Sequence, residues 1–233
     1  MSDPLKRLRG LARGLKRATD PAPHALAQHE TPVSRVFGLD RGMPIDRHYI
    51  EAFLREHEPL IRGRTLEVGE RLYTARLGRV ETAEVLLTAA DGQADAVVGD
   101  LSDPASLPER RVDCFVCTQT LNFVFDVRAA VESAHRVLKP GGVLLLTVAG
   151  ISQISRYDMD RWGDYWRFTT ASLEKLLAPV FHGGVEVQSR GNVMAATAFL
   201  HGLAVEDLPD RARLDAHDPD YQVIVTAVAR RAS

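Results

Sequence analysis

The run Arg62-Gly-Arg-Thr-Leu-Glu-Val-Gly69 decides the fold. Thr65, Leu66 and Val68 suit a buried strand, and Gly69 marks its end. The run reads as the first, central strand of a parallel sheet. In open α/β sheets a ligand sits beyond the carboxyl ends of the strands, near the point where strand order reverses. Glu67 and Gly69 are therefore expected at the mouth of a ligand site, completed by later strand ends.

The flanking sequence alternates between the two periods. Upstream, residues 45–58 place Ile45, Tyr49, Phe53 and Leu54 on one side of a helix. Downstream, residues 72–77 read as a short helix or an irregular loop. Strands are expected over 80–87, 94–98 and 112–117. Asp126 is placed to cap a helix over 127–138, which Lys139-Pro-Gly-Gly142 stops. Residues 143–148 are uninterruptedly apolar, as in a strand buried on both faces. A helix over 171–177 capped by Thr170, a strand over 185–187, a helix over 192–203 and a strand over 221–229 close the chain. Strands alternating with helices imply βαβ units with right-handed crossovers.

The chain has 233 residues, 45% of them hydrophobic and 26% charged, with a formal net charge of −2. That suits one large soluble domain and gives no global field for nucleic acid. Cys114 and Cys117 point to opposite faces of one strand, so they read as buried, reduced thiols in a cytoplasmic protein. No histidine pair has zinc-ligand spacing in a matching motif, and no metal is expected. No apolar run reaches a membrane span, and no signal-peptide core is visible. Residues 1–17 combine Leu5, Leu8, Ala12 and Leu15 at helical spacing with six basic residues. They read either as a helix lying on an anionic membrane surface, at the inner face, or as a solvated helix without a partner. Residues 18–36 read as a linker, and 37–233 as the folded domain.

Leu66-Glu-Val-Gly69, Gly99-Asp-Leu101 and Leu138-Lys-Pro-Gly-Gly-Val-Leu-Leu-Leu-Thr147, in that order, resemble class I S-adenosylmethionine-dependent methyltransferases. The resemblance covers about residues 45–230. It implies a three-layer, Rossmann-like, seven-stranded α/β sheet whose last strand runs antiparallel between the fifth and sixth. It also implies S-adenosyl-L-methionine as cofactor. Gly42-Met-Pro-Ile-Asp-Arg47, Thr118-Gln-Thr-Leu121 and Tyr165-Trp-Arg-Phe-Thr169 resemble a bacterial branch of that superfamily associated with glycosyltransferases and polysaccharide biosynthesis. One departure stands out. Where the family has E-x-G-x-G-x-G, this chain has Glu67-Val-Gly-Glu-Arg-Leu-Tyr73, so Arg71 and Tyr73 replace two glycines and could narrow the approach to the loop.

The resemblance assigns the cofactor to Glu67, Gly69, Tyr73, Glu84, Asp100, Leu101, Thr118 and Gln119. Glu84, near a strand end, would accept from the ribose hydroxyls, or is simply an exposed strand end. Asp100 would face the adenine amino group with Leu101 on the ring, or caps a turn. Thr118 and Gln119 reach the crevice, or form a polar turn. Residues 151–169 would cover the acceptor, with Asp164, Tyr165 and Arg167 as candidate catalytic groups and Arg167 gripping an anion. The alternative is a packing lid built on Trp162, Trp166 and Phe168, with Arg167 paired to an Asp. His48, beside Asp46 and Arg47, is a candidate base or a surface histidine; Asp46 and Arg47 would position substrate.

Two functions from different classes follow. One is an S-adenosylmethionine-dependent methyltransferase acting at oxygen on a glycan, glycolipid or related small-molecule acceptor. The other is a catalytically inactive partner or scaffold subunit on the same fold, in a biosynthetic complex. Binding of the cofactor discriminates them.

Overall fold

The computed structural model describes residues 30–90 and 92–233. Residues 1–17 and most of the expected linker lie outside the described residues. Ser34–Ser233 form one compact unit.

The unit is built on a seven-stranded sheet of order β3-β2-β1-β4-β5-β7-β6. Its strands are β1 (Arg62–Val68), β2 (Arg79–Leu87), β3 (Ala96–Val98), β4 (Val112–Thr118), β5 (Leu138–Ala149), β6 (Val185–Arg190) and β7 (Ile224–Arg230). The first five are parallel, and β7 runs antiparallel between β5 and β6. Strand order reverses at β1, so the crevice of such a sheet lies between the ends of β1 and β4.

Alternate faces of the strands pack two cores. Helices α1 (Ile45–Glu56) and α5 (Val193–Leu200) cover one face, around Phe53, Cys114, Val116, Leu145 and Phe199. Helices α2 (Val127–Val137) and α4 (Thr170–Phe181) cover the other, around Phe115, Cys117, Leu144, Leu146 and Leu177, and the short α3 (Arg156–Met159) lies in the segment after β5. The two thiols therefore stand in separate cores. Burial pushes each up to about 12.

Several boundaries differ from the sequence expectation. Asp126 caps α2, which stops at Val137 because Leu138 already pairs with Val112 at the start of β5. The register then jumps, and Lys139-Pro-Gly-Gly142 bulges out before Val143 pairs with Cys114. Helix α4 is capped by Thr169 rather than Thr170, through a reciprocal bond with Ser172, and continues to Phe181. The final strand starts at Ile224, three residues later than expected. Gly150 and Ile151 draw the carbonyls of Val223 and Gln222 into the turn after β5.

The connection from β1 to β2 matters most for the site. Residues 69–78 form turns, with no helix. Gly78 closes them at φ 85°, with a Cβ position only 2.0 Å from the Ile61 carbonyl oxygen, so no side chain fits there.

Candidate active site

A cavity of about 590 Å3 opens at the carboxyl ends of β1, β4 and β5. That is ample for a cofactor or small acceptor. Its floor is Glu67, Val68 and Gly69 from β1, Thr118 and Gln119 from β4, and Ala149 from β5. One wall is the first turn of α1, with Asp46 and Arg47; the other is the segment after β5, with Ser155, Asp158, Asp164 and Arg167. Arg35, Val36, Phe37 and Leu39 line a further side.

Glu67 is buried, and its carboxylate accepts from the amides of Leu72 (3.1 Å), Tyr73 (2.9 Å) and Thr74 (2.8 Å) and from the Thr74 hydroxyl (2.7 Å). The loop thus folds around the acid that precedes it. Gly69 has φ 77°, and no atom lies within 4 Å of where a side chain would project. A ligand can lie against that backbone. Tyr73 lines the cavity, buried, and burial pushes its hydroxyl up to about 12. Arg71 is drawn aside by Asp95, at 2.9 Å, and is not part of the lining.

Gln119 adopts φ 49°, in the left-handed region that side chains rarely enter. Its amide donates to the Thr147 carbonyl at 2.8 Å. Such strained residues concentrate at functional sites. Asn122, which sequence reasoning missed, organises what surrounds it. It is buried, donates to the Gln119 side chain at 3.4 Å, and accepts from the Ala149 amide at 3.0 Å. Its own carbonyl accepts from the amides of Tyr165 (2.8 Å) and Trp166 (3.2 Å). The ends of β4 and β5 are thereby joined to the covering segment. The available signal was a lone amide between Leu121 and Phe123.

Asp164 and Arg167 form a two-point ion pair, at 2.5 and 2.9 Å, and Asp164 also accepts from the Ser155 amide at 2.9 Å. Burial alone would raise the Asp164 carboxyl. The Arg167 hydrogen bonds, the Ser155 amide and the Arg167 charge outweigh it and hold the carboxyl below the usual range. Arg167 is thus engaged internally and offers no unpaired charge to an anion. Tyr165 is not part of the lining; it is half exposed, with its hydroxyl on the Trp162 carbonyl and its ring edge-on to Phe125. Of the expected packing aromatics, Phe168 is buried whereas Trp162 and Trp166 remain exposed.

The remaining candidates are elsewhere. Glu84 is in mid-strand, because β2 continues to Leu87. Its carboxylate is held by Arg111 (2.6 and 2.8 Å), which precedes β4 at the amino end. Asp100 closes a local turn by accepting from the amide and hydroxyl of Ser102, both at 2.8 Å. Leu101 is a core residue whose carbonyl accepts from Ser133. None of the three lines the cavity. His48 faces a second cavity, with Glu56, Arg190 and His217, and burial pulls its ring below the usual histidine value. Among the described residues no three His, Cys, Asp or Glu side chains gather as metal ligands, and no helix is long and apolar enough to cross a membrane.

Residues 62–146, β1 into β5, match the methyltransferase domain family. No curated protein matches the chain. Among solved structures it is similar to Haemonchus contortus phosphoethanolamine N-methyltransferase 2 in complex with S-adenosyl-L-methionine. The TM-score is 0.53 at 14% identity, over 80% of this chain and 53% of that one. It is similar to a Mesorhizobium loti S-adenosylmethionine-dependent methyltransferase, at TM-score 0.50 and 18% identity, over 83% of this chain and 100% of that one. It is also similar to the 4+2 cyclase SpnF, at TM-score 0.52 and 16% identity, over 89% of this chain and 91% of that one. The seven-stranded sheet has the Rossmann-like methyltransferase fold, and the domain match over residues 62–146 supports one class, the S-adenosylmethionine-dependent methyltransferases. S-adenosyl-L-methionine is the cofactor of that class. A fold that also carries a cyclase does not by itself name the acceptor.

Proposed function

We propose that this chain transfers a methyl group from S-adenosylmethionine to an oxygen of a glycan, glycolipid or related small-molecule acceptor. The observation that carries the reading is the single cavity joining the β1 end to the segment after β5. Gly69 leaves open backbone on one side, and the covering segment contributes aromatic and acidic side chains on the other. When bound, the cofactor supplies an electrophilic methyl on a sulfonium. Gly69, Tyr73, Thr118 and Gln119 would hold it. The segment braced by Asn122 and the Asp164–Arg167 pair would seat the acceptor. Positioning the two reactants is itself a large part of such catalysis. Tyr157 lines the cavity, and Trp162, Tyr165 and Trp166 of the same covering segment are exposed aromatics of the kind a sugar-like acceptor would require.

On this reading the protein acts in the cytoplasm in a polysaccharide-type pathway, with residues 1–17 holding it near lipid-linked substrate at the inner membrane face. The scaffold alternative draws less support, since Arg71 is turned to Asp95 and leaves the loop unobstructed. The test is calorimetric titration with S-adenosylmethionine and S-adenosylhomocysteine, followed by assay of S-adenosylhomocysteine release with hydroxylated glycans. Micromolar binding and acceptor-dependent release are expected. Absence of binding at millimolar ligand would return the chain to the scaffold role.

A further inference from the structure

We propose that Asp46 and Arg47, adjacent in the first turn of α1, grip the amino-acid end of the cofactor, Asp46 its ammonium and Arg47 its carboxylate. The inference rests on the S-adenosylmethionine reading and adds a binding element outside the loop after β1.

Three observations lead there. First, the loop has spent most of its donors on the protein itself. The amides of Leu72, Tyr73 and Thr74 all close on Glu67, and the loop opens no helix whose amino end could receive a carboxylate. A zwitterionic ligand lying on Gly69 must find the counter-charge for its carboxylate outside the loop, and its ammonium meets Asp46 on α1 as well as Glu70 in the loop.

Second, the charged groups around the cavity are mostly taken. Arg167 is paired with Asp164 and Arg156 with Asp160. Among the described residues the Arg47 side chain has no carboxylate partner. It stands on the β1 side, where its charge and those of Asp46 and Glu67 all act on the Tyr73 hydroxyl. Arg35 also lacks such a partner but lies across the cavity, its carbonyl accepting from Gln153.

Third, Asp46 is a part-buried carboxylate with only one hydrogen bond, from the adjacent Arg47 amide at 2.8 Å. Burial pushes its carboxyl up to about 6, outweighing the backbone amides and the Arg47 charge that act to lower it. A ligand ammonium would add a further cation. The turn is rigidly held, because Ile45, Tyr49, Ile50, Phe53 and Leu54 anchor α1 in the core.

The test compares S-adenosylhomocysteine with 5′-methylthioadenosine, which keeps the nucleoside thioether and lacks the amino-acid group. Calorimetry on the full chain should show wild type preferring S-adenosylhomocysteine. Asp46→Asn and Arg47→Gln should each weaken it about tenfold or more, the scale of a lost charged hydrogen bond. Both should leave 5′-methylthioadenosine within about twofold, which also reports an intact site. Arg47→Lys, which keeps the charge and cannot bind at two points, should fall between. Unchanged affinity in the variants, or equal weakening of both ligands by Arg47→Lys, would overturn the clamp while leaving the cofactor reading in place. Failure of wild type to bind S-adenosylhomocysteine would instead overturn that reading, and the clamp with it.

Discussion

The Glu67 carboxylate and the Thr74 hydroxyl meet at 2.7 Å across the loop that follows β1, inside a ring of backbone amides. The acid satisfies the loop from within, in a turn that carries Arg71 and Tyr73 rather than glycines. Removing it strands four donors around a buried hole. Glu67→Ala should lower the unfolding free energy by about 3 kcal/mol, and Glu67→Gln by about 1 kcal/mol, since the amide oxygen still accepts. Urea denaturation measures both. A Glu67→Ala loss under about 0.5 kcal/mol would show that the loop does not depend on the acid.

Glu84 leads to the opposite expectation for the cofactor. Its carboxylate is committed to Arg111, with Arg64 at 3.8 Å, toward the amino ends of the strands. Glu84→Ala should therefore cost about 2 kcal/mol of stability, less than a fully buried pair because Arg111 is partly exposed. It should leave S-adenosylhomocysteine affinity within about twofold. A tenfold or greater loss of affinity, with stability intact, would put Glu84 on the ligand after all.

The Asp164–Arg167 pair sets an acid limit. Asp164 is held below its unfolded value of about 4, so the native state binds fewer protons than the unfolded chain in that range. Its contribution is present above that value and is lost as pH falls through the folded value. Arg167→Gln should then destabilise most at neutral pH, by about 3 kcal/mol, because it leaves a buried charge unpaired. The gap to wild type should narrow below about pH 4. Thermal unfolding of both proteins from about pH 3 to 7 measures it, and a gap independent of pH would exclude this coupling.

The sheet was legible where side chains report their own burial. The apolar runs at Val85, Phe115 and Leu144 named their strands, and the β4 thiols announced two faces. Pairings over long separations were not legible. Nothing local ties Glu84 to Arg111, twenty-seven residues on, so a carboxylate in mid-strand resembled one at a strand end. The short spacing of Asp164 and Arg167 made their pairing foreseeable, and the same spacing cannot say whether the pair serves ligand or lid. Asn122 escaped because its value lies in four partners that only the folded chain assembles.

The last prediction follows from Asp46. Its carboxyl is pushed up to about 6, above the unfolded value of about 4. Between those values the folded protein holds more protons than the unfolded chain, so in the absence of ligand the burial penalty grows as pH rises through the window. A bound ammonium reverses the preference, since only the ionised carboxylate pairs with it. The groups that face this region are Arg47 and Glu51 on α1 and Glu67, Glu70 and Tyr73 at the β1 end, with Arg35, Arg156, Tyr157, Asp158, Asp164 and Arg167 across the cavity. Among the described residues no histidine lines that cavity to titrate alongside Asp46. S-adenosylhomocysteine affinity should accordingly rise between about pH 5 and 7, by up to about tenfold per unit below the Asp46 value. It should be nearly flat in Asp46→Asn. A wild-type profile as flat as the variant's would mean that the carboxylate does not meet the ligand, whatever its effect on stability.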